Sequence, residues 1–249
     1  MSKVVGVIPV RLESTRLPRK ALRLIAGHSM LEWVYRRARE CRGFSSLLVA
    51  TDSEEVLAHC RDLAIPAMMT SSEHRSGTER IVEVMGREPA DVYVNIQGDE
   101  PMVIAGHIEL MLAPFGERAG TQVSTLKVAL SAQEAGDPNN VKVVTDVEGR
   151  ALYFSRAVVP YDRAGAGRVQ YYKHLGFYAY SRAALEKFSR LPVSQLEIDE
   201  GLEQLRYLYH GVPIVVAETR LDTVGVDSEE DLAKVEQYFR EGGIGLPPR

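Results

Sequence analysis

Cysteine is scarce: only Cys41 and Cys60 occur in 249 residues, too few for a disulfide framework. They are read as two buried free thiols on core-facing helix positions, not as a bridge or a metal site. No apolar run approaches the roughly 20 residues that span a bilayer. The amino terminus carries one lysine before a short apolar run and then Arg11, too brief for a secretory core, so a cytoplasmic location is expected. Charge of neither sign dominates, with 30 Lys and Arg against 34 Asp and Glu for a net of −4. The surface as a whole is therefore not that of a nucleic-acid or membrane binder, and any anion site must be local. Internal repeats and low-complexity tracts are absent. So are the GxxxxGK[ST] loop and a GxGxxG turn after the first strand, which argues against a P-loop NTPase and a dinucleotide binder. There is no convincing Ser-His-Asp or Cys-His arrangement for nucleophilic catalysis.

What is present is a folding composition, 45% hydrophobic, patterned as alternating strands and helices. Residues 4–10 form a continuous apolar run. Met30, Leu31, Val34, Tyr35, Ala38 and Cys41 then recur at helical spacing, and 47–50 is again strand-like. Ser53 reads as the cap of a second helix burying Val56, Leu57 and Cys60, followed by a strand near 67–69. A helix over 78–87 and a buried strand over 91–96 continue the alternation. The fold class expected is α/β, doubly wound, with a mainly parallel sheet. After Pro138 the pattern becomes antiparallel, with strands near 141–144, 151–154 and 175–180 and a turn at 146–149. Residues 138–182 are expected to form a small subdomain or dimerisation element within a single domain spanning 1–249. Helices are expected over 202–209 and 228–240, a strand over 214–217 and a frayed tail over 242–249. The segment 164–167 is read as a mobile loop.

In such sheets ligands bind beyond the carboxyl ends of the strands. The loops 11–20, 51–52, 71–78 and 97–101 should open at that edge, and four polar segments stand out in the chain. The first, 11–20, has four cations (Arg11, Arg16, Arg19, Lys20), two hydroxyls (Ser14, Thr15) and one acid (Glu13), a composition suited to a polyanion. A solvated basic loop explains it equally well. The second, 97–101 (QGDEP), offers an acidic pair after a buried strand with Gly98 permitting close approach, as a magnesium-bound polyphosphate requires; the alternative is a turn with Asp99 as a helix cap. The third, 223–228, places Asp227 just outside a structural cap formed by Ser228 and Asp231. The fourth, 74–80, enters a helix whose first amides could bind an anion or a base edge, or form a plain helix start.

Taken together and in order, these segments resemble the 3-deoxy-manno-octulosonate (Kdo) cytidylyltransferase family, the CMP-Kdo synthetases. The family pattern RxxSTRLPGKPL corresponds to 11–22, and similar agreement lies in ATD (50–52), SGTER (76–80), NxQGDEP (95–101), PNxVKVV (138–144), ALYFSR (151–156), YKHLGxYAY (172–180), LExxExLEQLR (196–206) and GVD (225–227). The resemblance covers nearly the whole chain. It implies a CTP-binding loop of Arg11, Ser14, Arg16 and Lys20, with Ser76 and Gly77 near the cytidine. It implies Mg²⁺ ligands at Asp99 and Asp227, with Lys20 as the catalytic cation, and a sugar pocket drawn from Gln97, Arg156, Arg163, His174, Tyr178, Glu200 and Gln204. The implied reaction joins CTP and Kdo into CMP-Kdo and pyrophosphate for lipopolysaccharide biosynthesis, and a homodimer is the expected state. A different acidic acceptor, such as an amino-substituted Kdo, and a catalytically idle nucleotide-binding regulator are the alternatives.

The chain departs from the family pattern at four places. Arg19 stands at the glycine and Ala21 at the proline of the phosphate loop, Gln195 stands at a proline, and Gly201 interrupts a helix-forming stretch. If position 19 demands positive φ, arginine costs stability; if not, it adds a cation to the loop.

Overall fold

The computed structural model describes residues 2–12, 17–165, 167–242 and 247. Ser14 and Arg16 lie outside them, as do Ala166 of the 164–167 loop and most of the expected frayed tail. The elements in chain order are β1 (Val4–Val10), β2 (Leu24–Ile25), β3 (His28–Ser29), α1 (Met30–Arg39), β4 (Ser46–Thr51), α2 (Glu54–Asp62), β5 (Ala67–Met69), α3 (Gly77–Arg87), β6 (Val92–Asn95) and α4 (Ala105–Glu117). They continue with β7 (Val123–Leu130), α5 (Ala132–Ala135), β8 (Lys142–Thr145), β9 (Ala151–Ser155), β10 (Tyr171–Ser181), α6 (Arg182–Phe188), α7 (Gln195–Glu200), α8 (Leu205–Tyr209), β11 (Ile214–Thr219) and α9 (Glu229–Glu241). The chain forms two compact units, one of 1–109 with 223–249 and one of 110–222, the division falling inside α4. The second unit is wider than the 138–182 segment marked in the sequence.

In the first unit β6, β1, β4 and β5 lie side by side in that order, all parallel. β1 and β6 are buried along almost their whole length, which is why both read as unbroken apolar runs and not as alternating ones. The helix starts are local chemistry. Ser29, Ser53 and Ser76 each accept a backbone N–H from three residues on, and those serines are the caps of α1, α2 and α3. Cys41 is buried but lies two residues past α1, not within it, while Cys60 is inside α2 as expected. The return of the chain at 223 closes this unit. α9 packs Leu232, Val235 and Phe239 with Leu17, Ile25, Met30, Trp33 and Val226 into one apolar cluster. The Trp33 and Phe239 rings sit 4.4 Å apart, and the Trp33 indole N–H donates to the Ile25 carbonyl at 2.7 Å.

In the second unit β7 pairs in parallel with β11 and antiparallel with β10, and β8 pairs antiparallel with β9 and β10. The antiparallel character expected after Pro138 is present, with the β8–β9 turn at 146–149 closed by Asp146 N–H to the Arg150 carbonyl. β7 and α4 were not expected from the pattern. The helix expected over 202–209 is present in shortened form as α8, and the α7 that precedes it ends at Glu200, capped by Gly201 with a left-handed φ of 61°. No helix among the described residues is long and apolar enough to cross a membrane.

Candidate active site

The strand order of the first unit reverses beside β1. The chain steps outward through β4 and β5 and then returns to the other side of β1 as β6, so the crevice between the carboxyl ends of β1 and β6 is the topological switch point. Lys20 follows β1 in a single 3₁₀ turn, and Asp99 follows β6. The Lys20 ammonium donates to Asp99 Oδ2 at 2.6 Å and to Asp227 Oδ1 at 2.8 Å. Three residues separated by up to 207 positions in sequence therefore meet on one cation. Burial alone would lower the Lys20 pKa, but the Asp99 and Asp227 carboxylates outweigh it, so the net shift is upward and the group is an ammonium.

Close backbone approach makes this meeting possible. A Cβ on Gly98 would sit 3.2 Å from the Pro9 carbonyl oxygen and 3.0 Å from Val10 Cγ2, and a Cβ on Gly225 would sit 3.1 Å from Glu100 Oε1. Between them the Val226 N–H donates to the Asp99 carbonyl at 2.9 Å, so the loop bearing Asp227 is stitched to the loop bearing Asp99. Ser228 and Asp231 form a full capping box at the head of α9, and Asp231 Oδ2 also accepts the Asp227 N–H at 3.2 Å. Asp99 is no helix cap; its side chain is committed to Lys20.

Around this centre the expected nucleotide residues divide. Arg11 is exposed at the end of β1. Ser76 is the cap of α3, its hydroxyl accepting the Glu79 N–H at 3.2 Å, and Gly77 opens that helix with Pro9 Cγ 3.0 Å from where a Cβ would lie. The serine is thus a helix cap, and the first turn lies against Pro9 of β1. Arg80, 1% exposed, ties the neighbouring loops together through Asp52 at 2.7 Å and Thr70 at 2.5 Å, a structural pin within the SGTER segment.

Among the described residues no group of three or more His, Cys, Asp or Glu side chains is arranged to hold a metal ion. Mg²⁺ does not need one, since it characteristically takes one or two carboxylates and completes its shell with water and substrate phosphate. Asp99 and Asp227 meet that requirement, and the Lys20 ammonium between them demonstrates that the two carboxylates can share one cation.

The candidate sugar residues, Gln97 in the first unit apart, lie in the second unit; four of them form two groups, and Arg163 is exposed in a turn. His174 and Tyr178 flank a break in the β7–β10 register between Leu175 and Tyr178, a bulge held by the Thr125 hydroxyl, which donates to the Phe177 carbonyl at 2.6 Å. His174 Nε2 lies 3.0 Å from that same hydroxyl, and its ring packs on Phe154 and Tyr178. Burial, helped by Lys173, pushes the His174 pKa down to about 3, so the imidazole is neutral. The Tyr178 hydroxyl and Gln204 Nε2 are buried with no hydrogen-bond partner among the described residues. Glu203, not singled out in the sequence, stands close enough to push the Tyr178 and Tyr207 phenols up, after burial itself. The second group is Arg156 with Glu200, bonded to each other.

A cytidylyltransferase family model matches residues 5–218. A 3-deoxy-manno-octulosonate cytidylyltransferase of Acidobacterium capsulatum is 55% identical over 96% of this chain and 97% of its own length. The chain belongs to the 3-deoxy-manno-octulosonate cytidylyltransferase family. A second member, from Koribacter versatilis, is 50% identical over 96% of this chain and 90% of its own. The solved structure of a CMP:2-keto-3-deoxy-manno-octonic acid synthetase complexed with CTP superposes with a TM-score of 0.93 at 42% identity, covering 97% of this chain and all of that one. Its α/β architecture is shared here. Against that family pattern the departure at position 19 acquires a definite meaning. Arg19 has φ 55° and ψ 34°, the left-handed conformation that glycine adopts without penalty, and its guanidinium pairs with Glu55 in the first turn of α2.

Proposed function

We propose that this cytidylyltransferase joins CTP to Kdo, forming CMP-Kdo and pyrophosphate in the cytoplasm for lipopolysaccharide biosynthesis, with Mg²⁺ as cofactor and as a homodimer. The carrying observation is the convergence of Lys20, Asp99 and Asp227 at the switch point. In the reaction the anomeric hydroxyl oxygen of the sugar bonds to the α-phosphorus while the bond from that phosphorus to the bridging oxygen of the β-phosphate breaks. The hydroxyl proton is lost and pyrophosphate departs with the bond's electron pair. Asp99 and Asp227 would hold Mg²⁺, which when bound supplies charge neutralisation on the phosphates and lowers the pKa of an attacking hydroxyl.

This chain's own part is positioning and fixed charge. Lys20 brings a permanent ammonium to the phosphates, and Arg11, Ser14 and Arg16 extend the cationic loop. Ser76 and Gly77 present the first turn of α3 to the nucleoside. Arg156 offers a guanidinium to the sugar carboxylate, while Gln97, His174, Tyr178 and Gln204 supply neutral donors and acceptors for hydroxyls. A neutral imidazole and uncommitted buried donors suit a polyhydroxylated guest. No protein nucleophile is required.

Purified protein with CTP and Mg²⁺ should release pyrophosphate with Kdo and much less with other acidic sugars, and chelation should stop the release. A greater rate with an amino-substituted Kdo would reassign the acceptor; CTP binding without pyrophosphate from any acceptor would leave a nucleotide-binding regulator. Asp99→Ala and Asp227→Ala should each lower kcat by about a hundredfold or more while the protein still melts cooperatively. Either variant turning over near the wild-type rate would remove that carboxylate from the metal site.

A further inference from the structure

Glu200 is the last residue of α7, and both oxygens of its carboxylate are bonded within the chain. Oε1 accepts the Ser155 hydroxyl at 2.6 Å and Oε2 accepts the Arg156 backbone N–H at 2.8 Å. Burial and then this same carboxylate, to which its phenol donates, raise the Tyr153 pKa. The helix end grips the same residue a second time, because the Glu200 carbonyl accepts Arg156 Nε at 2.7 Å. Arg156 is fixed on its remaining sides as well. Its Nη1 donates to the Pro138 carbonyl at 3.1 Å, and its own carbonyl accepts the fully buried Lys142 ammonium at 2.6 Å. Lys142 gives a further hydrogen bond to the Asp137 carbonyl at 3.0 Å.

The chemistry of this arrangement is that of a held cation. The positive charges of Lys142 and Arg156 are offset here by the Glu200 carboxylate and by Asp137, whose charge also acts on Lys142. The backbone amide, carbonyl, Nε and Nη1 of Arg156 all have partners within the protein, and among the described residues Nη2 has none, which leaves it as the terminal donor for an outside anion. A carboxylate whose oxygens already take a hydroxyl, an amide and a phenol is poorly placed to accept sugar hydroxyls. We propose that Glu200 is a positioning residue, which acts on the acceptor sugar by fixing Arg156 and makes no contact with the sugar itself. This rests on the acceptor being an acidic sugar, as proposed above, and it replaces the substrate contact that the sequence resemblance implied for Glu200.

A double-mutant cycle separates positioning from contact. Glu200→Gln keeps the side-chain shape and should raise the KM for Kdo about tenfold, with the KM for CTP changed less than about twofold. Arg156→Met should cost more, and adding Glu200→Gln to Arg156→Met should then cost almost nothing further, because the residue being positioned is gone. Losses that multiply in the double variant would assign Glu200 a contact of its own and overturn the proposal, as would an equal rise in the KM for CTP. If Glu200→Gln does not melt cooperatively, Ser155→Ala, which removes one of its donors, is read in the same cycle against the same outcomes. Absence of any turnover by the wild-type protein with Kdo would instead defeat the acceptor assignment, a failure visible before either variant is made.

Discussion

At the scale of single residues, Arg19 shows how a substitution can carry opposite effects. Its left-handed backbone costs about 1 kcal/mol or more for a residue with a Cβ, while its guanidinium gains a pair with Glu55. Both partners are well exposed, so the pair contributes at most about 1 kcal/mol. Comparing two replacements that both lose the pair isolates the backbone. Arg19→Gly should be more stable than Arg19→Ala by about 1 kcal/mol in denaturant unfolding. Equal stability of the two would mean that the loop relaxes out of the left-handed conformation. The position of this residue beside Lys20 was evident from the sequence. Its φ was not, because only the closure of the loop onto the 3₁₀ turn at Lys20–Leu22 imposes it.

At the scale of elements, the caps were legible and the breaks were not. Ser53 and Ser228 were read correctly from serine preceding acidic first turns, and the capping box at α9 bears on the site because it fixes the backbone next to Asp227. Ser228→Ala should lower stability by about 1 kcal/mol in chemical denaturation. It should also weaken turnover, since Asp231 then loses part of its hold at 227–228. Unchanged stability would show that the Asp231 arm suffices alone. The helix expected over 202–209 begins only at Leu205, after α7 has ended in a left-handed turn at Gly201; hidden from the sequence was that this turn directly follows Glu200, whose carboxylate bonds Ser155 and Arg156. The bulge in β10 was likewise hidden, since an inserted residue changes register without changing composition.

At the scale of the whole molecule, the buried groups set how stability follows pH. His174 is neutral in the folded chain with a pKa of about 3, against 6.5 for the free side chain. As pH falls below 6.5 the unfolded state takes up a proton that the folded state refuses, so stability falls with falling pH through the window from 6.5 toward 3 and is fully retained above it. From pH 6.5 to 5 this amounts to about 2 kcal/mol. The thermal midpoint of the wild type should therefore drop more steeply over that window than that of His174→Gln, which keeps a hydrogen-bonding partner for Thr125 without the titration. Parallel slopes would mean that protons enter the His174 site without unfolding.

The sequence by itself determined the alternation of buried strands and capped helices, the family and the types of residue at each strand end, because these depend on local pattern and on side-chain chemistry. Tertiary structure decided which of those residues act together. Lys20, Asp99 and Asp227 meet only because strand order reverses beside β1 and because Val226, packed with Trp33 and Phe239, brings a distant loop back to that crevice. The bonds of Glu200 to Ser155 and Arg156 were decided in a similar way, since they follow from a helix end and a glycine turn and not from its place in a motif.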